Sequence, residues 1–417
     1  MQLVEKHIIS KNHPLFIEVD EKAFLSKNLY NAGLYAIRQH FFNTGNFLNY
    51  TALQKQFQDS RQHDYVQLPA KVSQWVLKGL CTNFESFFKS IKAYGKNPKK
   101  FKARPKIPKY KHKTKGRNLL CYTIQAIHKA PLKEQKIQLS GTNIVFPTKT
   151  KPTYQRKTAI SSEKSNIAQV RVVPRAACYV IEVVYERKVK SGKDLNKKYI
   201  AGIDLGLNNL AAVTSSKQGF VPFLINGRPL KSINQYFNKK KAALQSLLPK
   251  GQFSSKKIQK LIHKRNCKMD DYLHKASRII INELLKQKIG TLVIGKNDGW
   301  KDSINLGRQN NQSFVAVPHA RFIEMLTYKA ELEGIKVKVN EESYTSKCSF
   351  LDKEPVKKHR KYKGKRVKRG LFVSAKGIKI NSDINASLNI IRKVAPKAFA
   401  NGVEGVVVHP CGYFSIK

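Results

Sequence analysis

The stretch Ile200-Ala-Gly-Ile-Asp-Leu-Gly-Leu-Asn-Asn-Leu-Ala-Ala-Val-Thr214 decides the fold. An apolar run carries one carboxylate, Asp204, followed by Gly206, Asn208 and Asn209 and then by a second apolar run. This pattern predicts a buried strand turning into an antiparallel partner, with Gly and Asn supplying the turn backbone. Asp204 stands where such a strand would bury Val or Leu. An unpaired carboxylate there costs several kcal/mol, so it needs a cation or a hydrogen-bond network. Taken alone, an Asp-x-Gly is most simply a satisfied structural Asp. Two later acids, Glu342 and Asp383, raise it above that reading.

Downstream, Phe223-Leu-Ile-Asn226 predicts a third strand, followed by helices from Ile233 to Leu248 and from Lys256 to Gln287. Thr291-Leu-Val-Ile-Gly295 is a short buried strand, and Lys301 to Gln312 a polar loop. A helix after Pro318 places Phe322, Ile323, Leu326 and Ala330 on one face and stops at Gly334. Ile335-Lys-Val-Lys-Val339 alternates as a fifth strand. The order β, β, β, α, β, α, β is that of an RNase H-like sheet. A basic insertion, Lys347 to Lys379, precedes a closing helix from Asn381 to Arg392.

Upstream, the short run Leu15-Phe-Ile-Glu-Val19 predicts a strand, and helical spacing follows from Glu21 to Asn43 and again after Pro69. Gly95 to Arg117 holds eleven Lys or Arg and no acid, with Pro98, Pro105 and Pro108 interleaved. The prolines forbid a helix and the charge forbids a buried strand, so an extended segment along a phosphate backbone is expected. From Leu119 to Val189 short strands take over, with a Ser140-Gly141 hairpin turn, and predict a small β-barrel. The fold class is therefore α+β multidomain. The expected domains are a wedge strand at 1–18, a helical recognition domain at 19–117 and the barrel at 118–198. An α/β nuclease domain follows at 199–342 and 381–417, interrupted by a basic insertion at 343–380.

Charge sets the class of partner. Lys and Arg number 79 against 27 acids, a net charge of +52 over 417 residues. Such a chain repels itself unless it lies against a polyanion, and nucleic acid is the expected partner. No apolar run approaches the ~18 residues needed to span a membrane, so no membrane partner and a cytoplasmic, nucleoid-associated location are expected. No two of the six cysteines form a C-x-x-C, so neither a zinc ribbon nor a disulfide framework is signalled.

Metal-assisted phosphodiester cleavage on this kind of sheet needs Asp and Glu, because Mg²⁺ takes oxygen ligands in a tight octahedron. Asp204 is one candidate. Asp383, in Asn381-Ser-Asp-Ile-Asn-Ala-Ser-Leu-Asn-Ile390, is another, although an Asp at a helix start also reads as an N-cap. The strand expected to end in the third carboxylate ends instead in Gly295. The next strand ends Val339-Asn-Glu-Glu-Ser-Tyr-Thr-Ser-Lys347, and neighbouring strands lie only about 4.8 Å apart. Glu342 is the first choice for third ligand, Glu341 the second and Asp298 the third. A DDE transposase would require an acid in Leu292 to Gly295, and none is there. A plain RNA-packaging protein would explain the charge but not three carboxylates around one sheet.

Gly-Ile-Asp204-Leu-Gly-Leu, the run Gly295-Lys-Asn-x-Gly-Trp-Lys301, Glu342-Ser-Tyr-Thr-Ser-Lys and Asp383-Ile-Asn-Ala-Ser-Leu-Asn-Ile together resemble TnpB. This is a transposon-encoded family similar to the ancestors of type V CRISPR effectors. The resemblance covers about residues 199–393 by motif and the remainder by architecture. It implies an RNA-guided DNA endonuclease with a RuvC-like domain, a guide RNA from the transposon end, and a double-stranded DNA target read beside a short flanking motif. It also implies a two-metal Mg²⁺ site, with Mn²⁺ as a substitute, held by Asp204, Glu342 and Asp383. Two departures stand out. Most relatives carry the second-motif Glu where this chain has Gly295, which leaves open a binder that does not cut. Relatives also hold zinc through two Cys-x-x-Cys pairs, whereas here only Cys348 remains and Leu351 stands at its partner's position, so no zinc is expected.

Overall fold

A computed structural model describes residues 1–149, 165–297, 316–368 and 370–399, with short pieces at 152–153, 410 and 412–414. The predicted polar loop at 301–312 and the candidate Asp298 lie outside the described residues. The chain divides into two compact units, Met1–Lys188 and Val189–Lys417.

The first unit opens with β1 (Gln2–Ser10), followed by helices α1 (Phe16–Thr44), α2 (Tyr50–Asp59), α3 (His63–Val66) and α4 (Ala70–Lys96). The strand expected at Leu15–Val19 is instead the start of α1, where Val19 is fully buried; the strand lies earlier, where side chains alternate in exposure. Strands β2 (Leu120–Thr123), β3 (Lys136–Gln138), β4 (Val145–Pro147), β5 (Pro152–Thr153), β6 (Ser165–Pro174) and β7 (Cys178–Glu186) complete the unit. β3 and β4 form the expected hairpin.

The barrel is not formed. The main sheet runs β1-β7-β6-β2, with β5 beside β6, and β1 and β2 remain its ends among the described residues. Val170, Val172 and Ile181 share one apolar core with Val19, Leu34, Leu77 and Phe84 of the helices. The sheet buries its apolar face under α1 and α4 and does not need to close on itself.

The basic segment after α4 runs without helix or strand from Arg104 to His112, as its prolines require. α1 holds it by its backbone. Asn31 donates to the Lys111 carbonyl and accepts from the Lys111 N–H, both at 2.9 Å. Arg38 donates to the Pro108 carbonyl and Lys27 to the Lys113 carbonyl, each at 2.5 Å. At its end Arg117 forks onto Asp20 at 2.9 and 2.6 Å, and the Tyr179 hydroxyl adds a third bond. The Arg117 hydrogen bonds hold the Asp20 carboxyl below its usual range. Because the backbone faces α1, Lys102, Arg104, Lys106, Lys109, Lys113 and Lys115 are left exposed.

The second unit contains β8 (Asn196–Leu205), β9 (Asn209–Ser215), β10 (Phe223–Asn226), α5 (Arg228–Gln245), α6 (Lys256–Lys286), β11 (Ile289–Gly295), α7 (His319–Leu332) and β12 (Lys336–Asn340). The order of elements is the one expected. The insertion forms β13 (Lys365–Lys368), β14 (Leu371–Val373) and β15 (Lys379–Asn381), and α8 (Ser382–Val394) and β16 (Gly412–Phe414) follow. The sheet order is β12-β11-β8-β9-β10-β16. β8, β9 and β10 pair antiparallel, while β11 lies parallel to both β8 and β12.

No face of α8 is free. A Cβ on Gly202 of β8 would lie 2.6 Å from the Ser387 carbonyl, so glycine lets helix and strand backbones meet. Ser387 donates to the Gly202 carbonyl at 2.9 Å and pairs with the Thr214 hydroxyl at 2.8 Å. On its other side Asn385 bonds the Cys348 carbonyl and the Phe350 N–H, and Asn389 bonds the Thr345 and Cys348 carbonyls. The motif Asp-Ile-Asn-Ala-Ser-Leu-Asn thus joins the sheet to the start of the insertion.

Within the insertion the buried Glu354 carboxylate accepts from Ser349 N–H at 2.7 Å and Lys363 N–H at 2.9 Å. It bridges the two limbs of the loop, and the Cys348 thiol donates to the Lys357 carbonyl at 3.5 Å.

Two outcomes follow from this packing. Charge-assisted bonds to buried amides contribute about 1.5–3 kcal/mol each, so Glu354→Ala should speed hydrogen exchange at the Ser349 and Lys363 amides far more than in unit 1. A chelator should not reproduce the effect. Lys329, almost fully buried, donates to Ser277 at 2.6 Å and to the His274 carbonyl at 2.8 Å, and burial lowers its pKa to about 8. Between that value and its ordinary 10.5 the unfolded chain binds more protons, so stability rises with pH across this window and is lost again on returning to neutrality. Lys329→Met should abolish this rise in chemical-denaturation curves and stabilise the protein at pH 7 by on the order of 3 kcal/mol or less.

Candidate active site

Each candidate is set by a different element. Asp204 is the penultimate residue of β8, where the hydrogen-bonded register with β11 pairs Ile203 with Ile294. The next position on β11 is Gly295, so the glycine sits beside Asp204 on the adjoining strand. Asp383 lies in the first turn of α8 but does not cap it. The Asn381 side chain takes that role, accepting from the Asp383 and Ile384 N–H groups at 3.0 and 3.2 Å. The Asp383 carboxylate is thereby released, and it accepts from Asn209 at 2.7 Å and from the Ser382 hydroxyl at 3.3 Å.

Glu342 follows β12. Its carboxylate crosses to β11: a Cβ built on Gly295 would lie 2.5 Å from Glu342 Oε2 and 3.2 Å from Glu342 Cβ. The space that a side chain at 295 would take is filled by Glu342. Asn297 accepts from the Glu342 N–H at 3.1 Å and donates to Oε1 at 3.3 Å. Oε2 is buried and has no hydrogen-bond partner. Glu341, the second choice, is exposed and turned the opposite way, to Lys393, whose hydrogen bond lowers its pKa.

The electrostatics tie the three acids together. Burial raises the Asp204 pKa well above the carboxylate range, and the Glu342 and Asp383 charges raise it further, while Arg366 acts in the opposite sense. Burial also raises Glu342, with Glu341 adding to it, to about 7. Like charges in a desolvated cluster are held apart in energy until a cation or proton offsets them. Arg366 of β13 supplies part of that offset. Its guanidinium lies 4.0 Å from Asp383 Oδ1 and donates to the Ser382 hydroxyl at 3.2 Å.

Among the described residues, no three Asp, Glu, His or Cys side chains are arranged to hold one ion as they stand. Asp383 is turned to Asn209, and Glu342 is fixed by one oxygen to Asn297. The donor set nevertheless suits a hard divalent cation: it is all oxygen, and Glu342 Oε2 is a buried carboxylate oxygen with no partner. Arg366, Asn209 and Asn297 were given no role at the site from the sequence. Arg366 is one of many cations in the insertion, and Asn209 reads as turn chemistry. Asn297, two residues beyond the glycine, carried the only usable signal.

Comparison with known proteins agrees with the motifs. A family model described as "Probable transposase" matches residues 181–301, and one described as "Cas12f1-like, TNB domain" matches 319–390. A TnpB-like protein of Acidianus two-tailed virus is 25% identical over 403 residues, 89% of this chain and 82% of the viral one. A TnpB-like protein of Methanocaldococcus jannaschii is 28% identical over 202 residues, 46% of this chain and 69% of the archaeal one. A solved Cas12f1–sgRNA–target DNA complex aligns over 93% of this chain and 98% of that chain, at 17% identity and a TM-score of 0.35. Over most of its length the chain is thus similar to TnpB-like proteins.

Proposed function

We propose that this protein is an RNA-guided, Mg²⁺-dependent DNA endonuclease of a transposon whose second site carboxylate, Glu342, is delivered from β12 instead of β11. The observation that carries this reading is steric. Glu342 Oε2 occupies the volume vacated by Gly295, beside Asp204, and among the described residues nothing partners it. Burying a carboxylate oxygen without a donor is costly, and a cation-binding role explains why the cost is borne. Mg²⁺ ions held by Asp204, Glu342 and Asp383 would supply an activated water and stabilise the leaving oxygen. The chain's own part is to fix these carboxylates. β8 holds Asp204 beside the glycine, Asn381 frees Asp383 from capping, and Arg366 offsets charge until a ligand does so.

The likeness to TnpB supports a guide RNA from the transposon end and a duplex DNA target beside a short motif, with sequence read by base pairing. The charge supports the polyanion: the excess cations are exposed, while acids such as Asp20, Glu182 and Glu333 are held in internal ion pairs. The held basic segment at 98–117 presents its cations already ordered. One observation favours a second reading, guided binding without cleavage: Asp383 is bonded to Asn209 and the acids do not already surround one point.

Cleavage of a target plasmid, with guide RNA and with Mg²⁺ or EDTA, separates the two. Asp204→Ala, Glu342→Ala and Asp383→Ala should each reduce cleavage by at least about a thousandfold while guided binding stays near that of the parent. Gly295→Ala should also impair cleavage, because its methyl group displaces the Glu342 carboxylate. The exchange Gly295→Glu with Glu342→Gly should restore cutting lost in Glu342→Gly alone. Cutting by Glu342→Ala at the parental rate would refute the assignment, and a parent that never cuts would favour the binder. Nucleic-acid affinity should fall steeply with salt, since each neutralised phosphate releases counterions; a flat dependence would contradict a role for the cationic surface.

A further inference from the structure

We propose that Asn297 is a positioning residue that aims the Glu342 carboxylate, so that Gly295 and Asn297 together form a receptacle for a carboxylate arriving from another strand. This rests on the reading of Glu342 given above. One amide makes both contacts: its oxygen accepts from the Glu342 N–H at 3.1 Å and its nitrogen donates to Glu342 Oε1 at 3.3 Å. The first fixes the backbone at the point where β12 has ended. The second fixes the near carboxylate oxygen, which leaves Oε2 only the space over Gly295.

Among the described residues no other group donates to this carboxylate. The chain on either side is anchored independently. Lys393 bonds Glu341 and the Ser343 carbonyl, and Thr345 bonds the Glu342 carbonyl at 2.8 Å through its hydroxyl and 3.2 Å through its N–H. What these contacts leave undetermined is the direction of the Glu342 side chain, and Asn297 determines it. The residue type matters. Asp at 297 has no N–H and would oppose one carboxylate with another, whereas the Asn amide offers an acceptor and a donor at once. Groups that orient a metal-binding carboxylate by hydrogen bonding change metal affinity about 10–100-fold when removed.

Mn²⁺ binding to the metal-free full chain, followed by the EPR signal of free Mn²⁺, tests this without relying on cleavage. Asn297→Ala should weaken binding about 10–100-fold. It should cause no further loss in the Glu342→Ala background. It should also cause none in Gly295→Glu/Glu342→Gly, where the carboxylate springs from β11 itself. If Asn297→Ala does not fold, Asn297→Ser, which retains only one hydrogen-bonding group, should still lose at least about threefold. If Glu342→Ala weakens binding but the Asn297 variants do not, or if they weaken it equally in both backgrounds, the role of Asn297 is overturned while that of Glu342 stands. If Glu342→Ala binds Mn²⁺ as tightly as the parent, the reading of Glu342 falls, and Asn297 with it.

Discussion

The second unit depends on how closely α8 lies on β8. With Gly202 lacking a side chain, the helix backbone comes within bonding range of the strand, and Ser387 links the two. That approach brings Asp383 towards the end of β8, where Asp204 is. A methyl group at 202 would meet the Ser387 carbonyl at 2.6 Å and Ile391 at 2.7 Å, and the helix would have to move. Misplacement of a reacting group by about 1 Å can cost about a hundredfold in rate. One absent side chain therefore bears on geometry nearly two hundred residues away, as Gly295 does for Glu342. In both places a glycine creates room for a group from elsewhere in the chain.

Acids are scarce, and several of them have a defined task. In the first unit Asp20 gathers Arg117 and Tyr179, Glu5 accepts from Thr148 and from the Lys149 N–H, and Glu182 pairs with Arg171. In the insertion Glu354 joins two limbs through their amides. Exposed ion pairs contribute little to stability, whereas buried carboxylates serving backbone amides contribute more. Most of the cations that remain are exposed, Lys27 and Lys329 being buried exceptions.

Much of this was legible in the sequence, and the failures have physical causes. The strands around Asp204, the helices that follow and the position of the closing helix came from periodicity, because each element buries one face or is buried throughout. That the Glu342 side chain could reach the space at Gly295 was legible, because a glycine there leaves a volume that a neighbouring strand end can reach. Three things could not be read. The barrel was expected from strands at regular spacing, but spacing does not say whether a sheet closes or is covered, and α1 and α4 cover it. The run at Leu15–Val19 is too short for period 2 to be told from period 3.6. Arg366 and Asn209 reach the site through pairings remote in sequence, and nothing local sets them apart from other Arg and Asn residues.

The span between β8 and α8 also has a meaning for synthesis. A ribosome releases β8 nearly two hundred residues before the helix that covers it, so the Gly202 side of the sheet must wait for its partner. Contacts of such sequence separation form late and slowly. Until α8 emerges, Asp204 has no Asp383 beside it and the start of the insertion has neither Asn385 nor Asn389 to hold it. A chain interrupted before α8 can carry the first unit and the strands of the second as far as β15, yet it lacks Asp383, one of the three candidate acids. The order in which the chain is made thus withholds the candidate site until α8 itself has been made.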